Sequence, residues 1–68
     1  MQYILELHGK GQISYARKSN SDLFVAIYLP FARQFVREFL DSHFQVWEKV
    51  DIIEVSTGDR VFIESITK

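Results

Sequence analysis

The chain of 68 residues contains no cysteine, so no disulfide braces it and no thiolate holds a metal ion or attacks a substrate. That absence fits a reducing compartment. There is one proline and there are three glycines, too few for a linker or a glycine-rich phosphate loop. No apolar run approaches the about 18 residues of a membrane span, and the first residues do not read as a signal peptide. The expectation is one cytoplasmic domain over residues 1–68, without a membrane partner. Neither sign of charge dominates, the formal net charge being −1. Overall charge therefore gives no pointer to nucleic acid.

What is present is apolar and folded in character: 47% hydrophobic and 25% charged residues exclude disorder. Ten aromatic side chains in so short a chain exceed what one small domain hides, and oligomerisation is the remedy left when disulfides are missing. A homodimer is expected. The charge is also divided. Residues 1–37 carry Lys10, Arg17, Lys18, Arg33 and Arg37 against Glu6 and Asp22. Residues 38–68 carry Lys49, Arg60 and Lys68 against seven acids. A near-neutral total hides a basic half and an acidic half.

The stretch from Arg17 to Phe44 organises the pattern. After a basic pair and the polar turn Ser19–Asp22, Leu23–Leu29 reads as a buried strand, being short, apolar and rich in β-branched and aromatic residues. Pro30 suits the first turn of a helix, and Phe31, Ala32, Phe35, Val36, Phe39, Leu40 and Phe44 then recur at helical spacing. Before this stretch, Gln2–His8 and Gln12–Lys18 read as strands joined by a Gly9-Lys10-Gly11 turn. After it, Gln45–Lys49 carries the chain back, with Trp47 as a plug over the edge of the core. Val50–Ser56 and Val61–Thr67 then form a hairpin through Thr57–Arg60. The expected fold is a small, β-rich α+β domain in the order β-β-β-α-β-β.

Candidates for chemistry are few. His8 and His43 lie far apart and neither has a second histidine at ligand spacing, so both read as ordinary surface or strand-end residues with no metal or cofactor. Glu48, Asp51, Glu54, Asp59 and Glu64 read as the solvated face of a sheet edge rather than as an acid–base pair. No catalytic residue is nominated and no enzyme is expected. Lys10, Arg17, Lys18 and Asn20 flank one hairpin and one turn, the pattern of a β-ribbon that meets phosphates with charge and base edges with amides. Arg33 and Arg37 sit near the positive end of the helix, against its macrodipole, which points to a phosphate or an acidic partner.

Arg17-Lys18-Ser19-Asn20-Ser21, then Leu23–Leu29 and Pro30, resembles the basic-residue, Asn-Ser, apolar-strand, proline, helix pattern of SpoVT-AbrB-like proteins and MazE-type antitoxins. Residues 49–55, Gly58-Asp59 and residues 61–64 are similar to that family's closing hairpin, so the resemblance covers residues 11–66. It implies a swapped-hairpin β-barrel homodimer that binds double-stranded DNA as a transcriptional regulator, with Arg17, Lys18 and Asn20 as contacts. The chain departs from the pattern in four places. Tyr28-Leu29-Pro30-Phe31 replaces Ile-Pro-Lys, the helix is longer, Glu48-Lys49 replaces Gly-Asp, and residues 1–8 are an added strand. The alternatives are a protein-interaction module, an inhibitor or antitoxin-like protein using the acidic half and exposed aromatics, and a small enzyme subunit whose site forms only in an assembly.

Overall fold

The computed structural model of the protein describes residues 2–43 and 46–67. It is a strand-rich α+β domain: β1 (Gln2–Gly9), β2 (Gln12–Tyr15), α1 (Leu29–His43), β3 (Trp47–Ser56) and β4 (Asp59–Thr67). The four strands form one antiparallel sheet in the order β2-β1-β3-β4, with α1 packed across one face. Among the described residues no helix is long and apolar enough to cross a membrane.

Alternation along the two central strands decides which face the helix covers. Leu5 pairs with Ile52 and Leu7 with Val50, and all four are buried against Ala32, Val36 and Leu40 of α1. Side chains at even positions of β1 turn to the opposite, open face. There Ile4, Ile53 and Phe62 form an apolar row in register, Ile4 being buried and Phe62 exposed. In β4 the register slips by one residue: Glu64 opposes Ile52 and Phe62 opposes Ile53, leaving Ile63 as a bulge.

Helical angle explains the graded burial on α1. Counting about 100° per residue from Val36, Ala32 and Leu40 lie within about 40° of it and are buried. Phe39 and Phe35 lie about 60° and 100° to one side and are half-buried, Phe35 stacked on Phe24 at 4.3 Å and on Phe39 at 6.2 Å. Phe31 lies about 140° away and is 65% exposed. Arg33 lies about 60° to the other side, toward β4, and is half-buried. Within the expected stripe, Ala32, Val36 and Leu40 are therefore the seam, Phe35 and Phe39 a half-buried flank packed beside it, and Phe31 faces solvent.

Four further expectations are corrected. Residues 23–29 form no third strand. They are extended chain tied by single bridges at Leu23 to Arg17 and at Ala26 to Tyr3, and Leu23, Ile27 and Tyr28 are exposed. An apolar run without a partner strand on its outer side has no ladder to join. The second strand stops at Tyr15, where Ala16 donates to Leu5 and the chain turns outward. Trp47 is the first residue of β3, half-buried against the core. The helix starts two residues early, at Leu29, so Pro30 is its second residue, where a missing N–H costs nothing. Its expected end at Phe44, and Gln45, lie outside the described residues.

Gly9 is required for space rather than for a turn. A Cβ there would stand 2.6 Å from the Val46 carbonyl oxygen, whereas Gly11 supplies the positive φ of 70°. Leu5→Ala is expected to cost about 2–5 kcal/mol in urea denaturation, and Phe31→Ala less than about 1 kcal/mol. Equal losses would contradict this division of the apolar residues between core and surface.

Candidate functional site

The open face carries a polar row assembled by register. Tyr15 of β2, Glu6 of β1, Asp51 of β3 and Ser65 of β4 are direct cross-strand partners, one from each strand. His8, two residues beyond Glu6, shares its face. The Tyr15 hydroxyl donates to Glu6 Oε2 at 3.0 Å. The Ser65 hydroxyl donates to Asp51 Oδ1. The two remaining carboxylate oxygens converge on His8 Nε2, Glu6 Oε1 at 2.8 Å and Asp51 Oδ2 at 3.0 Å. Oxygens this close to Nε2 require it to carry the hydrogen, because a bare lone pair would face two others. Asp51 is buried, and Glu6 and His8 are half-buried. Among the described residues no buried side-chain nitrogen or oxygen lacks a partner. His8 is thus the wedge between two carboxylates that would otherwise repel.

His8 lies at the end of β1 as read, but engaged by two carboxylates, and Asp51, buried on a central strand, is not the solvated edge acid expected. The signal was partly present: Glu6-x-His8 on a strand puts two ligand-type side chains on one face. Asp51 lies 43 residues from His8 in sequence, and only the β1–β3 pairing brings it there. Glu64 is likewise no bare edge acid, for it accepts from Arg33 Nε at 2.6 Å. That ion pair accounts for the placement of Arg33 against the helix dipole.

The nominated basic residues separate into two groups. Lys10 is exposed in the β1–β2 turn, at one end of edge strand β2. Arg17, Lys18 and Asn20 are exposed at the other end, in a loop held by Lys18 N to Asp22 O at 2.7 Å and Ser21 N to Lys18 O at 2.9 Å. Ser21 takes a φ of 72°, unfavourable for a residue with a Cβ, and Arg17 Nη1 donates to its carbonyl at 3.2 Å. Asn20 donates to the Asp22 carboxylate and accepts from the Asp22 amide, so its side chain is engaged within the turn. Arg33 and Arg37 stand elsewhere, on α1 toward β4, Arg37 beside a groove shared with Leu40, Asp41, Ile66 and Thr67. His43 is the last residue of α1.

No family model, curated protein or solved structure matches the chain.

Replacing His8 by Ala leaves Glu6 and Asp51 facing each other across β1 and β3. The expected cost is about 1–3 kcal/mol at neutral pH, scaled down from a fully buried pair because the side chains are part-exposed. The double variant Glu6→Gln/His8→Ala is expected to regain part of it, since one of the two repelling charges is gone. Additive losses in denaturant melts would show that the three groups do not act together.

Proposed function

We propose that the protein is a DNA-binding domain that acts as a homodimer, meeting the phosphate backbone along the β2 edge and its two turns. One observation carries this reading. Lys10, Arg17 and Lys18 are all exposed on one edge of the sheet, and no acidic residue occurs between Leu7 and Ser21. Lys10 and Arg17 are seven residues apart along a near-extended chain, roughly 20 Å, a span that reaches several successive phosphates of a duplex. Three of the five basic residues in the first half of the chain thus lie along one edge. Arg33, held by Glu64, and Arg37 fall outside that surface. The resemblance to SpoVT-AbrB-like proteins supports the same reading and adds its finer form, in which two copies exchange hairpins.

A second reading, an interaction module for a protein partner, is favoured by the exposed apolar side chains. Ile13, Ile27, Tyr28, Phe31 and Phe62 are each more than half exposed. A homodimer covers some of them, and in that case sedimentation equilibrium is expected to give two chains at micromolar concentration. A monomer there would remove the dimer.

The DNA reading is tested by titrating a mixed-sequence duplex at increasing salt. Binding is expected to weaken steeply, and Lys18→Ala to lower the slope of log affinity against log salt by about one unit. Arg17→Ala is expected to act similarly if it meets phosphate, or to relax preference at one base pair by about 1–3 kcal/mol if it reads guanine. Unchanged affinity in the Arg17→Ala/Lys18→Ala double variant would rule out this edge. Absence of any binding by the native protein would leave the interaction module.

A further inference from the structure

We propose that Glu6, His8 and Asp51 form a binding site for one divalent first-row transition ion of the zinc type, which pins β1 to β3. The three donors are a ring nitrogen and two carboxylate oxygens, all within 4.8 Å of one another. An ion at about 2.0–2.2 Å from each of two ligands at the tetrahedral angle sets them about 3.3–3.6 Å apart. Nε2 already stands 2.8 Å from Glu6 Oε1 and 3.0 Å from Asp51 Oδ2. The two nitrogen–oxygen separations therefore reach that span with shifts of about half an ångström each.

The surroundings separate this cluster from a chance meeting of surface acids. The outer oxygen of each carboxylate is held by a hydroxyl, Glu6 Oε2 by Tyr15 and Asp51 Oδ1 by Ser65, so the inner oxygens are aimed at the same point. Such outer contacts orient metal ligands and fix the carboxylate rotamer. The donors come from two adjacent strands, and their side chains keep between 12% and 21% exposure, enough for an ion to enter from the open face. Imidazole with two carboxylates suits zinc, cobalt or nickel better than magnesium or calcium, which prefer oxygen alone. Binding takes the Nε2 lone pair of the neutral imidazole, whose one ring hydrogen then sits on Nδ1. Three protein ligands leave one position for water in a tetrahedral site and three in an octahedral one. In a chain with no cysteine, the ion takes the place of a covalent brace.

The test is a titration of the metal-stripped protein with zinc chloride by calorimetry, repeated with cobalt(II) followed by its visible absorption. Expected are one saturable ion per chain and a Tm that climbs with zinc but not with magnesium. Tyr15→Phe, which keeps all three ligands, is expected to weaken binding about 10–100-fold. His8→Gln is expected to abolish it and His43→Gln to leave it unchanged. Overturning results are no saturable binding by the native protein, or equal affinity in the native and Tyr15→Phe proteins. Loss of binding in His43→Gln has the same consequence. These hold even if His8→Gln fails to fold.

Discussion

The pairing of β1 with β3 is the constraint on which everything else rests. Its register sets Leu5 against Ile52 and Leu7 against Val50, which makes the floor that α1 covers. The same register, read on the opposite side of the same two strands, sets Glu6 against Asp51. One set of backbone hydrogen bonds therefore specifies both the hydrophobic core and the carboxylate pair. A slip of one residue would exchange the two faces, burying acids beneath the helix and turning leucines outward. The cost of burying unpaired charge makes such a slip prohibitive, so the polar row and the core enforce each other.

Much of this was legible in the sequence, for reasons that can be named. Leu5 and Leu7 alternate with Glu6 and His8, and Val50 and Ile52 with Asp51, so both faces of the central strands could be read. Helical spacing from Ala32 to Leu40 was equally plain. Residues 23–29 misled because composition reports burial preference, and a strand also needs a neighbour with free hydrogen-bonding groups. The aromatic flank of α1 was not separated from the seam because spacing names a stripe without ranking its positions, and Phe31, Phe35 and Phe39 fall to one side of Ala32, Val36 and Leu40. The cluster around His8 was hidden for a different cause: ligand spacing along a chain finds local sites, whereas this one depends on residues joined only by the sheet.

Charge follows the architecture more closely than the net value of −1 suggests. The β2 edge is basic and polar. The central strands hold two acids around one histidine, and β4 holds Glu64 against Arg33 on the helix side. Glu6, Asp51 and Glu64 are thus matched locally, while Lys10, Arg17 and Lys18 project from the periphery. Ser21, in its left-handed conformation, marks how firmly the loop carrying two of those cations is shaped.

The bulge at Ile63 gives β4 two facings within one strand. Before it, Phe62 lies on the open side. After it, Glu64 lies on the helix side, although the two are separated by the single residue that ordinarily restores the same face. The extra residue thus works as a phase shifter, letting a two-residue period serve two surfaces with different chemical demands. Insertions and deletions in β4 are consequently unequal in effect. Near Thr57 or Gly58 they alter only a turn. At Ile63, removal of one residue would make Phe62 and Glu64 neighbours, which a regular strand places on opposite faces, so the bulge would be lost while the Arg33 ion pair and the outward phenyl ring keep their sides.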